Sequence, residues 1–392
     1  MATKHPIKSL YYITHVDNIP SILKRGILSH KRVEEQAVPF TPIYDATIVS
    51  NRRERVTPNG KSLWEFANLY FQPRNPMLYR VINETIKELI AIVGVKPQVL
   101  NLPGTFVTNG NAAHSLSNVL NTQEGLQVVI EMWDVVNNDW WKEEDGSKRK
   151  IMAECLVPDV IPPEFIHSIY VTSQAAKEKI LLSSTAQIPI VPEPHMFFQP
   201  ARVLPLTKTL KLVEGDMFFS HAQTLTISVN TVGVMGKGLA SRTKYQFPDV
   251  YVFYQDLCRQ KILKMGKPYL YKREFLMDKL LADDTYPFPN PNSNKWFLLF
   301  PTKRHWRANS DFEGIEKGLE WVRDNYAQEK VNSLATPALG CGLGNLEWKD
   351  VGPLMCKYLA NLDVQVSIYL PREQDVPPEY LHRDFLLPKS NK

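Results

Sequence analysis

Asn230-Thr231-Val232-Gly233-Val234-Met235-Gly236-Lys237-Gly238-Leu239-Ala240 is the stretch that decides how the second half of the chain folds. It follows an apolar, β-branched run at 224–229 and leads into a helical pattern at 237–245. It therefore reads as a strand-to-helix turn whose Gly233, Gly236 and Gly238 let backbone N–H groups approach a phosphate. Working outward, the pattern predicts strands at 210–213, 224–229, 296–300, 331–336 and 364–370, with helices at 237–245, 250–260, 312–326 and 348–362. Alternation of this kind implies an α/β/α domain: a mostly parallel sheet covered on both faces, with its ligand at the carboxyl ends of the strands. A second glycine-rich loop, Ala338-Leu339-Gly340-Cys341-Gly342-Leu343-Gly344, also joins a strand to a helix. Two such loops on one sheet edge suit a diphosphate.

Toward the N-terminus the pattern breaks at Pro189, Pro192, Pro194, Pro200 and Pro205, which remove backbone donors and disfavour helix. This is the expected seam, dividing the chain into a first domain at 1–199, a linker at 200–208, a second domain at 209–373 and a tail at 374–392. Met196-Phe197-Phe198 is too apolar for a free linker and is expected to pack on the first domain. That domain reads as irregular α+β. A strand at 9–14 leads through Asp17, as N-cap, into a helix stopped by Gly26. A long loop at 29–62, a helix at 78–93 and strands at 127–132 and 166–171 follow.

A chain of 392 residues exceeds what one core usually supports, and 44% hydrophobic with 22% charged residues excludes a disordered or fibrous protein. The net charge of +5 gives slight support to an acidic partner such as nucleic acid. Cys155, Cys258, Cys341 and Cys356 are widely spaced, with no CxxC pair and no histidine cluster, so neither a metal site nor a disulfide framework is expected. The polar start and the lack of any apolar run of membrane-spanning length lead us to expect a cytoplasmic protein, without membrane association and monomeric.

The NTVGVMGKG run, Val213-Glu214-Gly215-Asp216 and Phe300-Pro301-Thr302-Lys303-Arg304-His305-Trp306 together resemble a macrodomain of the DarG antitoxin type over residues 210–370. The resemblance implies that Asp216 recognises the adenine amine of ADP-ribose. It also implies that Asn230, Gly233, Val234, Met235, Gly236, Lys237, Gly238, Thr302, Gly340, Cys341, Gly342, Leu343 and Gly344 surround the ligand. Lys303 becomes the catalytic residue, attacking the anomeric carbon or acting as an amine on the ring-opened sugar, helped if Lys237, Arg304 or partial burial lowers its pKa. Related hydrolases continue the GCGL loop with an acidic residue where this sequence has Gly344.

In the first half, Tyr12-Ile13-Thr14-His15 with Asn18, the basic cluster Asn51-Arg52-Arg53-Glu54-Arg55, Tyr70-Phe71-Gln72-Pro73-Arg74-Asn75-Pro76-Met77-Leu78 and Ala153-Glu154-Cys155-Leu156-Val157 resemble the DarT family of DNA ADP-ribosyltransferase toxins. Independently of that, a carboxylate within an apolar strand, as at Glu154, needs a partner or a function. The resemblance implies an α+β, PARP-like ADP-ribosyltransferase fold, a split mixed sheet around a nicotinamide-holding cleft. NAD is the implied co-substrate, contacted by Tyr12, Ile13, Thr14, Asn18 and Met77. Glu154 would act at the target base. Arg53 would hold NAD or transition-state charge, with Arg52 as the alternative, and Arg52, Arg55 and Arg74 would meet single-stranded DNA, with Tyr70 and Phe71 available for stacking. Tyr12 departs from the histidine usual in that family. The implied whole is a toxin–antitoxin fusion. An inactive transferase joined to an ADP-ribose reader, or RNA or protein as target, remain alternatives, as does either thymine or guanine as the modified base.

Overall fold

In the computed structural model, residues 7–43, 51–142, 145–184, 187–273, 295–372 and 374–388 are described. The chain divides into two compact units, Met1–Gln199 and Pro200–Lys392.

The first unit is built on a mixed eight-stranded sheet. Its spatial order is Ile190–Pro192, Ile166–Val171, Ile90–Val95, Leu10–His15, Phe66–Tyr70, Glu154–Pro158, Phe106–Thr108 and Val119–Asn121. Only the first pair is parallel. Leu10–His15 is paired along its whole length with Ile90–Val95, yet meets Phe66–Tyr70 only at Tyr11↔Tyr70. The sheet therefore splays between these two strands, and that opening becomes the cleft.

Three elements differ from the pattern reading. The expected helix at 78–93 is a shorter helix, Pro76–Glu84, followed by the fully buried strand Ile90–Val95. Pro76 pre-sets the first turn and the Asn75 side chain accepts from the Leu78 N–H at 3.0 Å, while the β-branched run Ile90-Ala91-Ile92-Val93 favours a strand in the sheet centre. The expected strand at 127–132 lies in the helix Thr122–Glu131. Asn121 caps it by accepting from Glu124 N–H at 3.0 Å, a local signal that outweighs a short apolar run. The loop expected at 29–62 contains the helix His30–Glu35, started by Ser29. Phe197 and Phe198 are buried, with Phe198 edge-on to Tyr79 and Trp141, as their apolarity requires.

The second unit carries a seven-stranded sheet in the order Arg202–Pro205, Leu210–Glu214, Gln365–Tyr369, Ser333–Pro337, Thr224–Asn230, Trp296–Lys303 and Tyr269–Tyr271. The inner strands are parallel and the two outermost pair antiparallel. The helices Gly238–Gln246, Pro248–Arg259, Phe312–Asn325 and Trp348–Leu359 fall where the periodicity places them. The segment expected as a linker instead supplies an edge strand, Arg202↔Glu214 through Pro205↔Lys211. Its prolines are tolerated because an edge strand has one unpaired side. The tail is likewise part of the fold: Leu381 and Leu386 are buried in the core, and Trp348 Nε1 donates to the Tyr380 carbonyl at 3.0 Å.

Candidate active sites

Where the first sheet splays, Tyr12, Ile13, Thr14, Asn18, His30, Arg52, Asn68, Tyr70 and Met77 face a cavity of about 200 Å³. Its outer wall is the segment at 38–43. Asn18 fixes that wall. Its amide donates to Thr41 O at 2.8 Å and to Thr14 Oγ1 at 3.1 Å, and its Oδ1 accepts from Thr41 N–H at 2.8 Å. Asn18 thus shapes the cleft as well as lining it.

At the inner end, Glu154 is fully buried at the start of its strand. One carboxylate oxygen accepts from Ala112 N–H at 2.8 Å and the other from Arg52 Nη1 at 3.1 Å. Arg52 lies between the cavity and the carboxylate, and its Nε and Nη2, buried, find no hydrogen-bond partner among the described residues. A buried ion pair adds little net stability, so a pair beside a cavity with donors to spare is better explained by chemistry. Arg55 donates to the carbonyls of His114 and Ser117, fastening the loop whose Ala112 N–H holds Glu154.

Three basic residues lie elsewhere than expected. Arg53, expected at the reaction centre, is about half exposed, pairs with Glu34, and lies over the Trp64 ring at 4.2 Å; its neighbour Arg52 occupies the cavity because successive residues on this helical turn point to different faces. Arg74, expected on DNA, is buried against Asp139, His195 and Phe198, where it anchors the end of the unit. Arg55 is spent on backbone carbonyls. Tyr70 and Phe71, offered as stacking groups, are core residues, 7% and 3% exposed. The phenol of Tyr70 is pushed up by burial and by the Glu154 charge, so it stays protonated.

His30 went unnoticed in the sequence. It faces the cavity and stacks on Trp64 at 4.2 Å. Burial and the Arg52 charge lower its pKa to about 4, which keeps the ring neutral near pH 7. The Ser29 cap before it was the available signal.

In the second unit the two glycine loops leave the carboxyl ends of adjacent strands, Thr224–Asn230 and Ser333–Pro337. Gly233 at φ +81° and Gly340 at φ +76° hold conformations that other residues adopt only with strain. Asn230, expected on the ligand, is consumed in shaping the first loop. It accepts from Val232 N–H at 3.0 Å and from Tyr254 OH at 2.9 Å, and donates to Val234 O at 2.6 Å. Met235 and Thr302 are also turned inward, 2% and 3% exposed, so any contact from the 230–238 loop at Met235 is through its backbone. Val234, Gly236, Lys237 and Gly238 are exposed, and Lys237 precedes the uncapped N-terminus of the helix Gly238–Gln246.

Lys303 ends the strand on the other side of Thr224–Asn230 and donates from Nζ to Leu343 O at 3.0 Å, joining that strand to the second loop. Its pKa is lowered by burial alone; neither Lys237 nor Arg304 contributes. Asp216 accepts from Phe218 N–H at 3.1 Å and from Arg242 Nη1 at 2.7 Å. At Gly344 a β-carbon would stand 2.2 Å from Ser310 Oγ. A side chain at this place would need Ser310 Oγ to turn away and Ser310 Cβ, 3.2 Å from the added carbon, to give by a few tenths of an ångström. Cys341 and Gly342 lie partly exposed in the same loop.

A split mixed sheet with a buried Arg–Glu pair, joined to a parallel sheet with two glycine loops and a terminal lysine, defines a two-domain ADP-ribosyltransferase and macrodomain protein. The family described as DarT, ssDNA thymidine ADP-ribosyltransferase, matches residues 11–198. A DNA ADP-ribosyl transferase–DNA ADP-ribosyl glycohydrolase fusion protein of Thermosipho africanus is 53% identical over 382 residues, 97% of this chain and 98% of the relative. The solved structure of Thermosipho africanus DarTG in complex with ADP-ribose matches with TM-score 0.88 and 52% identity, covering 97% of this chain and 100% of that one. A DNA ADP-ribosyl glycohydrolase of Thermus aquaticus is 34% identical over 165 residues, 42% of each chain. The chain belongs to the DarTG family of fusion enzymes: the first unit is a DNA ADP-ribosyl transferase and the second a macrodomain DNA ADP-ribosyl glycohydrolase.

Among the described residues no helix is long and apolar enough to cross a membrane, and no group of three or more His, Cys, Asp or Glu could hold a metal.

Proposed function

We propose that the first unit uses NAD to place ADP-ribose on a base of single-stranded DNA, thymine being favoured by the family description, and that Arg52 and Glu154, rather than Arg53, carry the step. The observation that carries this reading is the fully buried Glu154 held between Ala112 N–H and Arg52 beside the cavity. NAD sits among Tyr12, Ile13, Thr14, His30 and Met77. The bond between nicotinamide and ribose breaks with its electron pair leaving on nicotinamide. The base nitrogen forms the new bond to the anomeric carbon and gives up its proton to the Glu154 carboxylate, which lies behind Arg52 and is reached when the Arg52 guanidinium shifts aside as the substrate binds. The unengaged donors of Arg52 offset the negative charge that grows on the base as that proton leaves. Neutral His30 adds no positive charge where the sugar becomes cationic.

In the second unit the diphosphate lies against the two glycine loops, and Asp216 takes the adenine amine. The unprotonated amine of Lys303 attacks the anomeric carbon and the bond to the base breaks. The proton lost by the amine passes to the departing base, and water then hydrolyses the lysine adduct to release ADP-ribose. The partial burial that lowers the Lys303 pKa supplies more of the reactive form. A cytoplasmic, monomeric toxin–antitoxin element accords with this chemistry.

The test is a Lys303→Ala chain incubated with NAD and a single-stranded oligonucleotide pool. One ADP-ribosyl unit should accumulate on DNA by mass spectrometry, and adding Glu154→Gln should abolish it. Accumulation that persists in the chain carrying both substitutions contradicts the role assigned to Glu154.

A further inference from the structure

Immediately after Lys303 the chain runs through Arg304, His305, Trp306 and Arg307, all exposed, before turning back under the second glycine loop at Ser310. This short loop is tied at both ends. At its start, Thr231 of the first glycine loop donates to Arg304 O from Oγ1 at 2.9 Å. At its end, Ser310 N–H donates to Gly344 O at 2.9 Å, and Asn345 Nδ2 to Asn309 Oδ1 at 2.7 Å. The loop therefore spans from one glycine loop to the other, on the side where Lys303 stands.

Between the ties, Ala308 N–H donates to His305 O at 3.0 Å, a tight turn that carries Trp306 outward. The indole is 47% exposed, the Arg307 guanidinium lies over it at 4.5 Å and the His305 ring is 5.4 Å away. An exposed aromatic flanked by arginines is the combination on which bases stack while phosphates are neutralised. The position decides which partner. With the anomeric carbon at Lys303, as proposed above, the group bonded to it stands beside the residues that follow Lys303 in the chain.

We propose that the loop from Arg304 to Arg307 is a single-stranded DNA platform of the glycohydrolase, with Trp306 stacking on a base next to the modified nucleotide and Arg304 and Arg307 meeting the flanking phosphates. The proposal rests on the reading of the second unit as a glycohydrolase acting at Lys303. It gives that site a preference for ADP-ribose on a polynucleotide over ADP-ribose on a single nucleoside.

The experiment uses the full chain carrying Glu154→Gln, so that no new mark is added, with Trp306→Ala or Trp306→Phe. Release of ADP-ribose is followed from an ADP-ribosylated single-stranded oligonucleotide and from the ADP-ribosylated nucleoside obtained by digesting it. Loss of one stacked base predicts about a tenfold fall in kcat/KM on the oligonucleotide for Trp306→Ala, with the nucleoside changed by less than about twofold and most of the loss recovered by Trp306→Phe. An equal fall on both substrates assigns Trp306 to the cleft itself and overturns the proposal, as does an unchanged rate on the oligonucleotide. A parent chain that releases ADP-ribose from neither substrate refutes the glycohydrolase reading directly, and the platform with it.

Discussion

In the transferase unit the cleft is walled by side chains on a splayed sheet, and its central charges, Arg52 and Glu154, are paired and buried. In the macrodomain unit the corresponding surface is mostly backbone, two glycine loops held in shape by Asn230 and Ser310, with one lysine at the edge. Both handle the same ADP-ribosyl group. A site that must break a glycosidic bond and deprotonate a base needs specific charges protected from water, and substitution of those charges should be severe. The second site also breaks a glycosidic bond, but with Lys303 as its one charged group; for the diphosphate it can use backbone N–H groups, and it is vulnerable instead where an added β-carbon would meet a neighbour, as at Gly340 and Gly344.

The largest effect is expected at Glu154. Glu154→Gln keeps the acceptor for Ala112 N–H but removes the base, so transferase activity should fall about 1,000-fold, while ADP-ribose release by the second unit is unchanged. A comparable loss in both units would mean that the substitution unfolds the chain.

Next is Lys303→Ala, which should lower ADP-ribose release by about 100-fold with little change in ADP-ribose affinity measured by calorimetry. In the parent chain, release should rise with pH as Lys303 loses its proton, with a midpoint below the ordinary lysine value of 10.5 because burial disfavours the charged amine.

The Gly344→Asp change tests the backbone character of the second site. Adding the acidic residue of related hydrolases should weaken ADP-ribose binding about tenfold, since its β-carbon would stand 2.2 Å from Ser310 Oγ. Pairing it with Ser310→Gly should recover much of the loss. Undiminished binding by Gly344→Asp alone would show that the loop yields easily.

These contrasts also mark what the sequence made legible. The second fold could be read because its strands are apolar runs between amphipathic helices, and because its glycines fall just past the strand ends. The edge strand Arg202–Pro205 was hidden by Pro205 and the preceding Pro200, and nothing local to Asn230 reveals that Tyr254, 24 residues away, donates to it. In the first unit Glu154 stood out as a carboxylate in an apolar run. Which of two adjacent arginines meets it depended on the phase of a helical turn at Arg52, and periodicity is unreadable in so short an element. His30 had only the Ser29 cap as a local signal; that it faces the strand opening was not legible.

Smallest of all should be Arg53→Ala, about twofold on transferase activity, because its guanidinium is half exposed and engaged with Glu34 and Trp64; Arg52→Ala, by contrast, should approach Glu154→Gln in effect. Reversal of that order would return Arg53 to the reaction centre.

The most direct test of two opposed activities in one chain is a time course of the parent protein with a limiting amount of NAD and single-stranded DNA, followed by the mass of the oligonucleotide. One ADP-ribosyl unit should appear and then disappear as NAD is exhausted, with the peak abolished by Glu154→Gln and made permanent by Lys303→Ala. A mark that decays equally fast in the Lys303→Ala chain, or that forms in the Glu154→Gln chain, would contradict the account.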